Sequence, residues 1–454
     1  MTFDEPDRIG KFFADSGRVA SFDEADALLQ SFAVDVRVGD ALNEAQQIFL
    51  YTFINIAQRC FRGGIFLSGE LAAANTVPMF AGDTLADVSR TLGAVIGRAA
   101  PTGSPNVVIK NAIPADSDIV FYPTFGHWWG GVSREPPSQD SRSGALGAVL
   151  SAGLVTSALF TFFERERAPH CVRTQFVCLW TDCADFGVPD SDGPEVAFLP
   201  TQMWLLGLGH LGQAYAWLIG LLPYPVGHDG CVIVQDDQML ATENYGTSVL
   251  YRDDKNLRKT DAAKAWLDRA GFNVFRIERR IGANFRREAA DSTIALAGFD
   301  NGPARRWASE AGFDLLLDGG IGATVRSFSS IQVTTLPGPT SAAELWPNTK
   351  NESNVPDTAA YIDLQAAGVD RCGLAQIAGR AVAAPFVGTV TACAVIAQLL
   401  RPLHGQHLLH RWSYDVRSPL SLSTVRNSDS DIGVKGIPFC EARVYQSVTS
   451  SGYA

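Results

Sequence analysis

The sequence predicts an α/β protein made of two units with mostly parallel sheets. Short apolar runs alternate with helix-like or turn segments in both halves, as expected when helices cover a parallel sheet. Each half also has a long helix of small apolar residues, at 144–163 and 385–400, preceded by a glycine-rich strand exit, at 126–133 and 319–329. This repeated order predicts an internal duplication.

The elements of the two units are predicted from apolar runs bounded by turn residues. Strands are expected at 63–69, 106–110, 118–122, 203–209, 231–237, 273–277, 292–300 and 315–322, with a helix near 259–270. The chain is divided into an N-terminal helical arm (1–50), a first unit (51–183), a polar linker (184–194), a second unit (195–412) with a crossover loop (337–371), and a tail (413–454).

Composition excludes several classes of function. The 454 residues carry 37 Lys and Arg against 48 Asp and Glu, a net charge of -11, which disfavours a broad electrostatic grip on nucleic acid or an anionic membrane. The uncharged segment 144–163 is long enough to span a bilayer, but its Gly, Ala, Ser and Thr suit close packing in a core. Eight cysteines without a C-x-x-C pair favour a reduced, cytoplasmic protein without structural zinc.

A glycine motif marks the candidate nucleotide site. Gly207, Gly209 and Gly212 form G-L-G-H-L-G between an apolar strand and a helix, where glycines allow a tight turn and let phosphate oxygens approach helix amides. Asp236 ends the next strand, where an acidic residue can accept ribose hydroxyls. Segment 66–72 has no such motif, so the second Rossmann-like unit is expected to bind nucleotide and the first to be degenerate.

The residues after Asp236 shift the expectation from NAD to ATP. Asn244, Arg252 and Lys259 follow on one continuous stretch, and cations of this kind offset charge when a carboxylate attacks the α-phosphate and pyrophosphate leaves. Asp300 ends another strand of the same sheet, at the edge where a carboxylate could hold Mg²⁺.

With these residues in place, 203–401 resembles the ThiF, MoeB and ubiquitin-activating superfamily. The likeness is carried by the glycine loop, by the spacing from Asp236 to Asn244, by the K-T-D-A-A helix start at Lys259, by the strand-D-N pattern at Asp300, and by the run from Cys372 to Gly388. The resemblance implies ATP- and Mg²⁺-dependent adenylation of the C-terminal glycine of a ubiquitin-like or sulfur-carrier protein, and in some members thioester capture by a cysteine at the place of Cys372.

The sequence departs from this superfamily at several points. Thr247 stands where members typically carry an arginine, so Arg252 or a group from elsewhere must compensate. The two C-x-x-C pairs that bind zinc in many relatives are missing. An arginine from the partner half often completes the site in this superfamily, and Arg8, Arg18 and the other N-terminal arginines stay open as its source.

The favoured hypothesis is an activating enzyme for a small ubiquitin-like protein, with Cys372 as acyl acceptor and Cys440 as its rival. A conjugating enzyme is left open as a further partner. One alternative is adenylation of a peptide or small carboxylate without a thioester. An NAD-dependent oxidoreductase and a catalytically silent scaffold are further alternatives. A homodimer and an internal pseudo-dimer are both open.

Overall fold

The computed structural model describes residues 7–114, 119–137, 144–168, 173–185, 192–251, 256–347, 355–426 and 436–444. The elements of the first unit follow the chain as α1 (Gly10–Asp15), α2 (Phe22–Gln30), β1 (Ala33–Val38), α3 (Glu44–Cys60), β2 (Gly64–Gly69), α4 (Leu85–Thr91), β3 (Ala94–Ile96), β4 (Asn106–Ile109), β5 (Val120–Phe125), β6 (Trp129–Ser133), α5 (Ala145–Glu164), β7 (Gln175–Cys178) and β8 (Cys183–Asp185).

The second unit continues in the same manner. Its elements are β9 (Phe198–Pro200), β10 (Gln202–Leu206), α6 (Gly212–Leu221), β11 (Cys231–Gln235), α7 (Thr242–Tyr245), α8 (Lys259–Arg269), β12 (Asn273–Ile277), β13 (Ile294–Ala297), α9 (Gly302–Ser309), β14 (Leu315–Ile321), β15 (Ser330–Leu336), α10 (Ala342–Leu345), α11 (Ala359–Ala366), α12 (Arg371–Ala378), α13 (Pro385–Leu400), β16 (Leu409–Asp415), β17 (Ser418–Arg426) and β18 (Phe439–Glu441).

Both units have the same strand order. The first sheet runs β3-β2-β1-β4-β5-β6-β7-β8, and the second runs β12-β11-β10-β13-β14-β15-β16-β17. In each sheet the first five strands in this order are parallel and the last three are antiparallel. The predicted α/β class with two Rossmann-like units is confirmed, and the shared order is the one that an internal duplication produces.

The expected helical arm at residues 1–50 is wrong in its second half. β1 lies in the middle of the first sheet, paired in parallel with β2 and β4. Val34, Val36 and Val38 alternate with polar residues and are buried, which is the two-residue period of a strand. The first unit therefore begins near residue 33, and only α1 and α2 form an arm.

The expected tail and crossover loop also contain regular structure. β17 pairs antiparallel with β16, and β18 pairs with β9, although both lie within 413–454. The segment 337–371 holds α10 and α11, and α11 is bound to the arm because Tyr361 Oη donates to Asp15 Oδ1 at 2.9 Å. Polar composition misled the sequence prediction, because strands and helices covered on one side can be polar on the other.

The two long apolar helices meet at the centre of the molecule. A Cβ on Gly153 of α5 would lie 2.6 Å from Val390 Cγ2 of α13, so the glycine lets the helices approach closely. α5 is the one helix among the described residues that is long and apolar enough to cross a membrane, and its apolar window is wholly buried in the protein. Burial of this kind is typical of a core helix.

Candidate functional site

The glycine loop joins β10 to α6 at the carboxyl edge of the second sheet. Gly207 adopts φ 77°, a conformation that favours glycine. A Cβ on Gly212 would lie 1.8 Å from the carbonyl oxygen of Gly207, whereas a Cβ on Gly209 would meet no atom within 4 Å. Gly207 and Gly212 are therefore required by the turn itself, and Gly209 leaves open space above the loop.

The N-terminus of α6 has no side-chain cap, and no acidic residue lies in its first turn. Because the first backbone N–H groups of a helix lack partners within it and carry partial positive charge, they form a seat for an anion. Strand order and chain direction place this helix end beside β10, between β11 and β13. Ligands of doubly wound sheets bind at this position.

The corresponding helix end in the first unit is closed. Asn43 and Gln46 form a reciprocal cap at the start of α3, with N···O distances of 2.9 and 3.0 Å. Glu44 adds a buried negative charge, and Arg443 binds it at 2.8 Å. A side-chain amide and a carboxylate thus occupy the helix end that corresponds to the open end of α6, so this end does not offer free amides to an anion.

Asp236 lies against the glycine loop. Its Oδ2 accepts a hydrogen bond from the backbone N–H of Leu208 at 2.7 Å, and its Oδ1 accepts one from Gln238 N–H at 2.8 Å. These bonds fix the carboxylate at the end of β11. Each oxygen has a second lone pair with which it could accept a ribose hydroxyl.

Lys259 reaches the same edge through Gln238. The lysine is 4% exposed at the start of α8, and its ammonium group donates to the side-chain oxygen of Gln238. The backbone N–H of Lys259 also donates to the carbonyl oxygen of Gln238 at 3.1 Å. Gln238 therefore connects the aspartate and the lysine that the sequence placed in one site.

Asp300 follows β13, directly beside the loop. A Cβ on Gly298 would lie 2.9 Å from the backbone nitrogen of Gly212, so the two chain segments touch. Asp300 is exposed, and its Oδ1 accepts a 3.1 Å hydrogen bond from Asn301 Nδ2. Its remaining lone pairs suit Mg²⁺, which is commonly bound by one or two carboxylates together with substrate phosphates.

The buried ion pair of Arg305 and Asp318 lies next to the segment that carries Asp300. Arg305 Nη2 donates to the carbonyl oxygens of Phe299 at 2.7 Å and Gly319 at 3.2 Å, and its Nε lies 3.3 Å from Asp318 Oδ1. Asp318 is 2% exposed, and burial raises its pKa to about 7 although Arg305 opposes the shift. Arg305 thereby ties the residue before Asp300 to β14.

The first unit contributes a buried arginine to the second. Arg59 of α3 is 2% exposed; its Nε donates to Tyr245 O at 3.0 Å and its Nη2 to Tyr251 O at 2.6 Å. Its guanidinium carbon also lies 4.7 Å from the centre of the Tyr245 ring. Asn55, one helical turn earlier, donates from Nδ2 to Val249 O. The segment after Asn244 is thus held by the degenerate unit.

Two side chains connect this segment to the glycine loop. Gln213 Oε1 accepts hydrogen bonds from Ser248 Oγ and from the N–H groups of Val249 and Leu250 at 3.0, 2.9 and 2.7 Å. Tyr251 Oη donates to Leu208 O at 2.5 Å. A continuous set of hydrogen bonds therefore runs from α3 through residues 245–251 to the loop.

Sequence reasoning missed Arg59, Gln213 and Tyr251. Arg59 and Asn55 stand four residues apart in α3, next to the apolar residues Phe53, Ile54, Ile56 and Ala57, and this spacing places them on one face and indicates a buried polar contact. Gln213 and Tyr251 lie next to predicted site residues, but their partners are backbone atoms, and no sequence pattern specifies such partners.

His210, in the middle of the glycine loop, is half-buried against α13. Its Nε2 lies 3.1 Å from Ala384 O, and a Cβ on Gly388 would lie 2.5 Å from the same nitrogen. Desolvation, followed by the positive charge of Arg8, lowers the pKa of His210 to about 3, so the ring is neutral at pH 7. Of the two named arginines, Arg8 thus lies close to the loop.

Arg18, in contrast, binds Glu164 at the end of α5, with Nη2 3.2 Å from Oε1. Asn244 uses its side-chain oxygen locally, accepting the N–H of Ala241 at 2.9 Å. Thr247, at the place of the expected arginine, is buried. Arg252 lies outside the described residues.

Cys372 is exposed, as a thioester-forming residue would need to be, but it belongs to α12 and not to a flexible loop. The side chain of Asp370 caps this helix by accepting Gly373 N–H at 2.8 Å. α11 and α12 share a small apolar cluster with Phe22 of the arm. The rival Cys440 is half-buried in β18, and burial raises its pKa.

Comparison with known proteins decides the family. Residues 33–179 match the BilD N-terminal domain, and residues 199–406 match the BilD C-terminal domain. The bacterial E1-like protein BilD from Collimonas sp. (strain OK412) is 35% identical over 409 residues, which cover 88% of each chain. The chain belongs to the BilD family. The N-terminal match begins at residue 33, the first residue of β1. The BilD N-terminal domain therefore includes the strand that the predicted helical arm (1–50) had left out of the first unit.

Solved structures show a more distant likeness to this BilD chain. E. coli MccB is 12% identical, covers 72% of the chain and 98% of its own length, and has a TM-score of 0.33. MccB crystallised with AMPCPP and MccA is 13% identical, and the match covers 51% of this chain and 66% of that MccB chain, with a TM-score of 0.32. PaaA is 14% identical, and the match covers 69% of this chain and 78% of the PaaA chain, with a TM-score of 0.31.

Proposed function

We propose that the chain is an ATP- and Mg²⁺-dependent enzyme that adenylates the C-terminal glycine of a ubiquitin-like or sulfur-carrier-like protein. The observation that carries the proposal is the convergence of an uncapped helix end, Lys259 and Asp300 at one sheet edge. The similarity to a protein named bacterial E1-like protein BilD supports the same class of activity.

In the proposed reaction, a carboxylate oxygen of the substrate attacks the α-phosphorus of ATP. The new bond forms the acyl adenylate, the bond to the β-phosphate oxygen breaks, and pyrophosphate leaves with its electron pair. The amides at the start of α6 bind phosphate oxygens, and Lys259 offsets negative charge on the phosphates. Asp300 would hold Mg²⁺, which supplies further charge neutralisation.

The first unit takes a supporting role in this proposal. Arg59 and Asn55 hold residues 245–251, and Tyr251 holds the glycine loop, so both units shape one nucleotide site. The capped start of α3 predicts that the first unit binds no second ATP. We therefore expect one nucleotide per chain.

Pyrophosphate exchange tests the proposal. The chain is incubated with ATP, Mg²⁺, labelled pyrophosphate and a ubiquitin-fold protein that ends in glycine, and incorporation of label into ATP is measured. We expect exchange with the wild type and a loss of about a hundredfold or more in Asp300→Ala. Asp268→Ala is the matched control, because Asp268 is paired with Lys264 on the surface of α8.

Three outcomes would contradict the proposal. Exchange that survives in Asp300→Ala would remove this carboxylate from the mechanism. A wild-type chain that binds nicotinamide dinucleotide but not ATP, measured by calorimetry, would favour an oxidoreductase, and binding of neither would favour a scaffold.

Thioester transfer through Cys372, with a conjugating enzyme as acceptor, is the finer part of the proposal. The packing of α12 against α11 and the arm favours a second candidate, adenylation of a peptide or small carboxylate without a thioester, since Cys372 would have to move with its helix. Intact-mass analysis after turnover separates the two. An adduct on the wild type that thiols cleave and that disappears in Cys372→Ala supports transfer, and turnover without an adduct supports the second candidate.

A further inference from the structure

β7 and β8 form a hairpin that carries two cysteines. Residues 179–182 connect the strands, and Cys178 stands directly opposite Cys183. Side chains directly opposite each other in an antiparallel pair lie on the same face of the sheet. Both residues are thiols in the structure, so this pair is a dithiol at the end of the first sheet.

Thr181, in the turn, contacts both sulfur atoms. Its backbone nitrogen is 3.5 Å from Cys178 Sγ, and its Oγ1 is 3.1 Å from Cys183 Sγ. Cα atoms of directly opposite residues are roughly 4.5–5.5 Å apart, within the roughly 4.4–6.8 Å that disulfides span. Their Cβ atoms are on the order of 5 Å apart, so closing the bond needs a movement of about 1 Å at the end of the hairpin.

We propose that Cys178 and Cys183 are a modification site, at which a low-molecular-weight disulfide such as oxidised glutathione forms a reversible intramolecular disulfide. This inference does not depend on the adenylation chemistry. Cys183 is half-buried and Cys178 is 0% exposed, so the reagent meets Cys183 first. The buried thiol serves as the resolving group.

The chemistry balances in two exchanges. The Cys183 thiolate attacks one sulfur of the reagent, which forms a mixed disulfide and releases one reagent thiolate. The Cys178 thiolate then attacks Cys183 Sγ, forms the protein S–S bond and releases the second reagent thiolate. The cysteines lose two electrons and two protons, and the reagent gains both. Burial raises the pKa of Cys178, so the second exchange is expected to accelerate as pH rises.

The position of the hairpin connects this site to the junction between the units. Asp182, in the turn, adopts φ 54° and binds Arg401 with N···O distances of 2.6 and 3.1 Å. Arg401 follows the last residue of α13 and also donates to Leu179 O at 2.8 Å. A disulfide at the base of the turn would restrict the segment that holds the end of the central helix.

Cys231 provides a matched control. It is half-buried and lies in a strand, but the residues opposite it are Gln202 and Asn273. Cys231 is about as exposed as Cys183, but no cysteine lies opposite it on a neighbouring strand. The same reagent should leave it as a thiol or as a mixed disulfide.

The test treats the full chain with glutathione buffers of increasing disulfide content, quenches with an alkylating reagent, and maps peptides by mass. We expect a Cys178–Cys183 cross-linked peptide that is lighter by two hydrogens and is restored by dithiothreitol. Amide exchange of the turn should slow in the oxidised form. Cys178→Ser should leave a stable mixed disulfide at Cys183, and Cys183→Ser should protect Cys178 from modification in the folded chain.

Two results would overturn the proposal. The first is a wild type in which Cys231 becomes glutathionylated while Cys178 and Cys183 both remain alkylatable thiols. The second is a cross-link between Cys183 and Cys171, tested by the Cys171→Ser variant. Because Cys183→Ser changes a half-buried residue, it keeps the test valid if Cys178→Ser does not fold.

Discussion

Arg59 Nη2 donates a hydrogen bond of 2.6 Å to the carbonyl oxygen of Tyr251, and the Tyr251 hydroxyl donates one of 2.5 Å to Leu208 in the glycine loop. A helix of the first unit is thus two hydrogen bonds away from the glycine loop of the second. This relationship makes the degenerate unit a physical part of the site.

Replacement of Arg59 tests this connection. Arg59→Ala leaves the carbonyl groups of Tyr245 and Tyr251 without their donor, and we expect a loss of about 3 kcal/mol in the free energy of unfolding. ATP affinity should fall as well, with partial recovery in Arg59→Lys. Chemical denaturation and calorimetry measure the two effects. Unchanged ATP affinity in a destabilised Arg59→Ala would show that the arginine supports the fold alone.

Tyr251→Phe removes one hydroxyl from the same set of contacts. The ring is retained and Leu208 O loses a donor, so we expect about 1 kcal/mol of destabilisation together with weaker ATP binding. Tyr224→Phe is a suitable control, since Tyr224 Oη donates to Pro200 O at 2.7 Å, in contact with β9 and not with the loop. Equal effects of the two changes on ATP affinity would contradict a specific role for Tyr251.

Gly212→Ala and Gly209→Ala separate the folding role of the loop from binding. A Cβ at 212 would collide with Gly207 O, and we expect about 1–3 kcal/mol of destabilisation from the forced backbone shift. A Cβ at 209 meets open space, so stability should change by less than about 0.5 kcal/mol. ATP affinity should nevertheless fall in Gly209→Ala, as titration calorimetry would show. Full affinity in that variant would place the phosphates elsewhere.

Asp318 predicts a pH dependence of stability. Its folded pKa of about 7 lies well above the ordinary aspartate pKa of about 3.9, so the folded state holds the proton more tightly than the unfolded state. The contribution of Asp318 to the free energy of unfolding is fully present below about pH 4. It is lost as pH rises to about 7, at up to about 1.4 kcal/mol per pH unit. Asp318→Asn should flatten this part of the profile in denaturation measured from pH 4 to 8. A parallel profile in the variant would assign the dependence to other groups.

Much of the second unit could be predicted from the sequence because its patterns are local. The strands at β10, β11, β12 and β14 follow from apolar runs between turn residues, and the glycine loop follows from its spacing. Lys259 and Asp236 lie at one edge, as the α/β arrangement requires. β1 was missed because its alternating valines fall within residues 1–50. That whole segment was predicted to be helical from its amphipathic, acidic residues.

The contacts across the two units could not be predicted. Arg59 binds carbonyl oxygens nearly two hundred residues away, and backbone acceptors carry no residue-type pattern. The letters N-E-A-Q at 43–46 are a recognisable helix cap. Only the position of β1 before α3 shows that this cap closes the helix end that corresponds to the start of α6. The polar composition of 337–371 hid α10, α11 and the start of α12, the helix that contains Cys372.

The identical strand order of the two sheets has an evolutionary consequence. In an assembly of two identical subunits, every substitution changes both copies of a site at once. Here the repeats are joined in one polypeptide, so Asn43 and Gln46 could close one helix end while the other stayed open. Under the proposed function, such a fusion would free one half from nucleotide binding, and that half could then specialise in supporting the other.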